Sequence, residues 1–400
     1  MTEAELRNRL LQEPVPGEHE SGERAWEVVR SSYAARERIP WLERHSRLVV
    51  VLAVAAALVV GGVSPPGQAV VERVRDEVAG RTPSEPALVR LPARGRLLVV
   101  SGSGPWVVQQ DGSKRLLGDY DDASWSPRGL FVVAAQGERL VTVEPESGEV
   151  RWSLSRTEPI RGPRWSGGGP DTRIAYRAGS ALHVVAGDGS PDALLANDVA
   201  PIAPAWKANS HVLAYASRRD RRVHVVDVDA RRELWTTPRV AGLRRITFSP
   251  DGFLVVLTSR NAGLYGRRGL IRLAAESALP KGHVLLDASP LPGGRVLYAD
   301  YDPKADATAL VLAHCFAPGP CLLIGPSEVF RGPGQIGNLT LSPDGRWLAA
   351  AWPTADQILF SRVLRFDKVV LASNIRREFG SGASTPREFP RMAGWIEDAS

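Results

Sequence analysis

Cysteine is nearly missing from this sequence: Cys315 and Cys321 are the only two in 400 residues. Two thiols cannot build a disulfide-dense scaffold or a cysteine-rich zinc site. Lysine is almost as scarce. Lys114, Lys207, Lys281, Lys304 and Lys368 are the only ones among 50 basic residues, so guanidinium groups carry the positive charge. No run of basic residues with interleaved aromatics occurs, and a net charge of +6 is modest for this length. The signature of nucleic-acid binding is therefore absent. There is no Gly-x-Ser-x-Gly elbow and no glycine-rich loop ending in Lys-Ser or Lys-Thr, which removes the common nucleophile and phosphate-cradle motifs. The seven histidines are scattered, and no His-x-x-x-Cys-x-x-Cys set lies in the N-terminal part. That absence weighs against a zinc-type anti-sigma domain there. The acidic groups Asp119, Asp121, Asp122 and Asp300, Asp302, Asp306 lack the spacing of a calcium loop and read as turn formers. No catalytic, cofactor-binding or metal-binding residue is assigned.

What is present falls into unlike parts. Residues 1–47 are polar, with two helix-like stretches parted by Pro14, Pro16 and Gly17. Trp26, Val29 and Tyr33 recur at helical spacing and form an apolar stripe, a candidate cytosolic docking segment. The bland alternative is a loosely ordered tail. Leu48 to Val63 is a run of sixteen residues without a polar side chain. As a helix it would span about 24 Å, somewhat short of a hydrocarbon core of roughly 30 Å. Arg47 can snorkel at one end and Pro65–Pro66 stops the helix at the other. A transmembrane anchor is the expectation. The rivals are a cleaved signal peptide, against which the long and mildly acidic leader argues, and a buried helix, which would show a polar stripe. Arg30, Arg36, Arg38, Arg44 and Arg47 precede the run, whereas Arg73, Arg75 and Arg81 follow it. This bias orients the N-terminus to the cytosol and residues 64–400 outside the cell membrane. Residues 64–93 read as a juxtamembrane helix and a linker stiffened by Pro83, Pro86 and Pro92.

Residues 94–400 repeat. Trp125-Ser126-Pro127-Arg128-Gly129, Trp165-Ser166-Gly167, Trp206-Lys207-Ala208-Asn209, Phe248-Ser249-Pro250-Asp251-Gly252, Ala288-Ser289-Pro290 and Leu341-Ser342-Pro343-Asp344-Gly345 follow one another at 40, 41, 42, 40 and 53 residues. A period near 40 with several short strands per unit is the mark of a propeller blade. In each turn proline presets one backbone angle, aspartate bonds to nearby backbone and glycine accepts a positive φ. Six markers open six blades. Gly394-Trp395-Ile396 is a half-marker with no blade after it, and Leu97 to Ser101, Pro105 to Gln109 and Lys114 to Leu117 are three strands with no marker before them. The one strand and the three complete each other. The predicted fold is all-β: a seven-bladed β-propeller, closed by strand exchange, behind an N-terminal transmembrane helix and a short cytosolic helical tail.

The Ser-Pro-Asp-Gly turn followed by an apolar strand resembles the TolB-type, WD-like β-propeller repeat, most closely at Phe248 to Gly252 and Leu341 to Gly345. With its anchor, the layout is similar to bacterial membrane proteins, some of them suspected of signalling. The resemblance implies a fold and says little of function, because propellers host enzymes, scaffolds and receptors.

Two clusters stand out on the repeats. Arg218, Arg219, Arg221 and Arg222 lie between two strands, and Arg260, Arg267 and Arg268 are placed in the same interval of the next blade, together a candidate anion-binding rim. Cys315 and Cys321 flank Phe316-Ala317-Pro318-Gly319-Pro320 and read as a hairpin disulfide. His183 and His224 take similar places on third strands, which points to a structural role. The reading is of a membrane-anchored binding, scaffold or signalling protein whose partners are an extracytoplasmic protein or polymer, the membrane through Leu48 to Val63, and a cytosolic protein at the tail. The alternative is an extracytoplasmic hydrolase or cyclotransferase with its site in the propeller channel, which paired carboxylates at the channel mouth would favour.

Overall fold

The structure, a computed structural model, describes residues 90–166, 171–266, 269–273, 279–292, 295–314, 327–363, 369–380 and 388–397. The chain enters the fold with β1 (Arg96–Ser101), β2 (Gly104–Val108) and β3 (Lys114–Leu116). Blade 1 is β4 (Asp122–Trp125), β5 (Val132–Gln136), β6 (Arg139–Val143) and β7 (Val150–Ser155). Blade 2 is β8 (Ile160–Trp165), β9 (Arg173–Ala178), β10 (Ala181–Ala186) and β11 (Asp192–Ala196). Blade 3 is β12 (Ala205–Trp206), β13 (Val212–Ala216), β14 (Val223–Asp227) and β15 (Arg232–Thr236). Blade 4 is β16 (Leu243–Phe248), β17 (Leu254–Thr258), β18 (Ala262–Gly266) and β19 (Gly269–Leu273). Blade 5 is β20 (Val284–Leu291), β21 (Arg295–Asp302), β22 (Ala307–His314) and β23 (Ser327–Pro333). Blade 6 is β24 (Gly337–Leu341), β25 (Trp347–Trp352), β26 (Gln357–Arg362) and β27 (Val369–Ser373). A one-turn helix, Ile375–Glu378, leads on to β28 (Arg391–Ile396).

β28 pairs antiparallel with β1, so the seventh sheet runs β28-β1-β2-β3. Seven blades and the exchange of one C-terminal strand for three N-terminal strands are both as the repeat spacing predicts. Closure leaves no open edge at the joint. Trp395 in β28 meets Phe360 of blade 6 edge to face at 5.8 Å.

The core is divided. Seven apolar clusters each fill the gap between two neighbouring blades. Successive residues of a second strand feed opposite gaps: Leu97 and Val99 pack toward blade 6, Leu98 and Val100 toward blade 1. A strand covered on both faces has no polar alternation, and this is why Val132–Ala135 and Trp347–Trp352 are apolar throughout. The outer strand β7 faces solvent and alternates instead. Leu91 and Ala93, ahead of β1, are already buried in the layer between blades 6 and 7.

The turns after the inner strands are closed by a residue type beyond proline, aspartate and glycine. The Ser342 hydroxyl accepts the backbone N–H of Trp347 at 2.9 Å, and Ser126, Ser166 and Ser249 do the same for Phe131, Arg173 and Phe253. All four serines are buried. Gly129 sits at φ +68°, where a Cβ would meet the Arg96 guanidinium. That guanidinium donates to the Gly129 carbonyl at 2.8 Å and so ties blade 7 to blade 1. At Ala288 the marker shifts, and Ser289 and Pro290 stay inside β20.

Among the described residues no helix is long and apolar enough to cross a membrane. The Leu48–Val63 run, the stripe of Trp26, Val29 and Tyr33, the Cys315–Cys321 pair, Arg267 and Arg268 all lie outside the described residues.

Candidate functional site: the upper face and the inner ring

The upper face is the end at which the inner strands begin. It carries the loops joining second to third strands and each blade to the next, whereas the serine turns lie on the lower face. Five of the seven inner strands (β8, β16, β20, β24 and β28) hold one residue more than their partners, a bulge that re-aims side chains.

Charged side chains from these strands interlock around the axis. Asp122 accepts from Arg391 at 2.5 Å and from its neighbour's backbone N–H, and stands 3.7 Å from Arg164. Blades 7, 1 and 2 are joined there. Asp287, 4% exposed, takes the Arg245 guanidinium as a fork at 2.7 and 3.2 Å and accepts the backbone N–H groups of Ala288 and Leu339. It joins blades 4, 5 and 6. Asn338, in the left-handed region at φ +48°, exchanges both amide groups with the backbone of Met392 and joins blade 6 to blade 7. Trp206 donates to the Arg164 carbonyl at 2.8 Å, joining blade 3 to blade 2. Among the described residues, the blade 3–4 gap is the one without such a polar stitch between inner strands.

Burial raises the Asp122 carboxyl, but Arg164 and Arg391 outweigh it, and the group lies below its ordinary value. Burial lowers the Arg164 guanidinium; Asp122 opposes this, and Arg391 and Arg245 add to it. With 30% of its side chain accessible, Arg164 is enclosed by protein and other cations without being sealed from water. Each carboxylate here is occupied by arginine and backbone N–H. The geometry makes the pair clamps rather than a proton-transfer couple, which needs a free acid or base within reach of substrate.

The sequence-derived rim is brought together only in part. Arg218, Arg219, Arg221 and Arg222 form the exposed loop between β13 and β14 on the upper face, and Arg260 is exposed between β17 and β18 on the same face. Arg267 and Arg268 lie outside the described residues, so Arg260 is the member of that second group placed on this face. The main chain at Arg218 is tied to blade 2. Its N–H donates to the Asp198 carbonyl, Ser217 bridges Val199, and Val199 donates to Ser180 beside Arg177. Arg222 reaches back to Thr236.

Arg161, Arg164, Arg177, Arg245, Asp287 and Arg391 were not singled out from sequence. Asp287 carried a readable signal, as the lone charge in the apolar run Val284–Leu291. Asp122 is a strand residue in an ion pair, not a turn former, because the inner strand begins at that residue. His183 and His224 do occupy matching positions. Each stacks on a second-strand tyrosine, Tyr176 at 5.4 Å and Tyr215 at 5.2 Å, and faces an outer-strand carboxylate, Asp192 or Glu233. Burial, then Arg156, keeps His183 below its ordinary value.

No known family pattern matches the chain, and no curated protein matches it in sequence. Solved structures match in fold. A chain of the crystal structure of the mitotic checkpoint complex is 15% identical, with 70% of this chain and 92% of that chain covered and a TM-score of 0.50. Kluyveromyces lactis Hsv2p is 9% identical over 67% and 89%, with a TM-score of 0.49. The Cps50 (Swd1) β-propeller domain of Myceliophteria thermophila is 12% identical over 71% and 98%, with a TM-score of 0.46. At such identities the likeness is one of architecture: a seven-bladed propeller with WD40-like neighbours.

Proposed function

We propose that this chain is a binding protein that holds an acidic protein or polymer on the upper face of its propeller. The observation that carries this reading is the arginine rim over blades 2 to 4. Arg161, Arg218, Arg219, Arg221, Arg222 and Arg260 are exposed there, against the exposed carboxylates Asp121, Glu158 and Asp198 and the half-buried Asp220. Arginine is the residue suited to bidentate pairing with acidic groups. Beneath blades 2 and 3 the Trp206–Arg164 stitch holds the loops on a rigid base, which lowers the ordering cost of binding.

The anchor reading supplies a place for that activity. With Leu48–Val63 in the membrane and the N-terminal tail in the cytosol, the propeller faces the outside, and Trp26, Val29 and Tyr33 offer a cytosolic contact. A scaffold or signalling role between the two compartments follows.

The test is photo-crosslinking from native membranes. It compares the unaltered chain with the triple variant Arg219→Glu, Arg221→Glu, Arg222→Glu and with a lower-face control, Leu130→Ser. A probe placed at Arg218 should capture the same extracytoplasmic partner from the unaltered chain and the control, at least tenfold less from the triple variant, and less at high salt. Equal capture by all three proteins would overturn the upper-face reading.

A further inference from the structure

Arg177 is an anomaly on β9. It is 8% exposed, yet its Nε has no hydrogen-bond partner among the described residues, and its single hydrogen bond is a long one of 3.4 Å to the Gly179 carbonyl. Directly opposite it in the sheet stands Arg161 on β8. Like charges directly opposite each other destabilise a strand pair. A third cation, Arg218, belongs to blade 3, and its main chain is tied to blade 2 by the bond to Asp198 and by the Ser180–Val199–Ser217 backbone links. Burial, then Arg218, then Arg161 push the Arg177 guanidinium below its ordinary value, against a smaller opposing pull from Asp122.

The surrounding carboxylates do not balance this cluster. Asp121 is held by Arg161 at 2.9 Å. Asp122 is held by Arg391 and Arg164. Glu158 lies against Gly179 and is exposed. Among the described residues neither Arg177 nor Arg218 has an ion-pair partner. A buried cation without a counter-charge costs several kcal/mol in general, and this one sits between two others. Such an arrangement is stable once an anion enters it.

We propose that Arg177, Arg218 and the outer side of Arg161 form a seat for one dianionic oxyanion, a phosphate or sulfate group, between blades 2 and 3 at the upper face. The charge matches: Arg161 is already paired, and Arg177 and Arg218 leave two positive charges for two negative ones. The geometry suits it as well, with one rigid buried fork at the base and two exposed arms at the mouth, since planar guanidinium forks match phosphate oxygens. The seat deepens the binding reading by naming the group that the upper face would recognise, and it rests on that reading for its biological use.

The test uses the full-length chain in detergent micelles, with inorganic phosphate as the free source and phosphoserine as a phosphate carried on a larger molecule. Melting is followed by tryptophan fluorescence at fixed ionic strength, with chloride replaced. Phosphate salts stabilise proteins generally and without saturation. The expected signal is therefore the saturable part: a rise of about 3–6 °C in the unaltered chain, absent in Arg177→Met and reduced in the exposed-loop variant Arg218→Ser. A larger rise with phosphoserine than with phosphate would assign the seat to a phosphate ester; an equal rise would assign it to the free ion. Identical non-saturable behaviour of the unaltered chain and Arg177→Met would overturn the seat. Such a failure alongside intact upper-face crosslinking would leave the binding face standing, whereas saturable phosphate binding without crosslinking would do the reverse.

Discussion

Arg161 and Arg164 lie three residues apart on one inner strand, yet they belong to groups of opposite character. Arg164 joins the inner ring, where Asp122 and Asp287 hold Arg391 and Arg245 and the blades are clamped together. Arg161 stands opposite Arg177 in a cluster with more cations than carboxylates. The strand bulge at Gly162 and Pro163 sets Arg161 opposite Arg177 and Arg164 opposite Ala175, and the two arginines differ in their partners, Asp121 for Arg161 and Asp122 for Arg164. Residue type therefore does not distinguish structural from functional arginines in this propeller; the presence of a counter-charge does. In the inner ring each of Arg164, Arg245 and Arg391 has a carboxylate within reach, and the ring carries stability. The blade 2–3 cluster is unbalanced and withholds stability until something binds.

The largest loss of stability is expected at the closing strand. Deleting residues 390–400 removes Met392 and Trp395 from the layer beside blade 6, Arg391 from Asp122, and the backbone partners of Asn338. Losing buried large side chains of this kind costs about 2–5 kcal/mol each, and the ring also opens an edge. The truncated chain should lose its cooperative melting transition. A melting temperature within a few degrees of the full chain would refute closure by strand exchange.

Next in size is Asp287→Ala. It strands the Arg245 guanidinium and leaves the backbone N–H groups of Ala288 and Leu339 unpaired. Breaking a buried pair from one side costs about 3–5 kcal/mol. Urea unfolding should show that loss, with the effect centred on blades 4 to 6 by hydrogen exchange. A loss below about 1 kcal/mol would mean that the ring is not a clamp.

Smaller again is an acid effect at Asp122. Its carboxyl lies lower in the folded than in the unfolded chain, held by Arg164 and Arg391 against the opposing pull of burial. The stabilisation it brings is therefore present above the ordinary carboxylate value of about 4 and is lost as pH falls through the lower folded value. Asp122→Asn should flatten the stability–pH curve in that acid window while changing little of its shape near neutrality. An unchanged acid slope would remove Asp122 from the ring.

The fold was legible because its signals are periodic. Markers 40 to 42 residues apart, and the complementary orphans at Trp395 and Leu97 to Leu117, specify seven blades and their closure without any contact being known. The charged sites were not legible, because they are made between blades. The main chain at Arg218 is tied to blade 2 at Asp198, and Asp122 meets Arg391 across 269 positions. No local pattern encodes either meeting, and the bulges that aim these residues have no fixed signature. The rim cluster Arg218 to Arg222 was visible because it is contiguous, and that same contiguity gave no sign of the main-chain tie from Arg218 to blade 2.

The two groups of arginines are told apart by one pair of substitutions, Arg245→Met and Arg177→Met, measured by urea unfolding in the same phosphate- and sulfate-free buffer. Both remove a guanidinium and keep an apolar stem. Arg245→Met leaves the buried Asp287 carboxylate without its cation and should cost about 2–4 kcal/mol, the half-exposed side chain of Arg245 tempering the loss. Arg177→Met removes an uncompensated buried charge from between two others and should be neutral or stabilising by about 1 kcal/mol. Opposite signs would establish that the two groups of arginines do different work. A comparable destabilisation by both substitutions would contradict it and make Arg177 one more structural clamp.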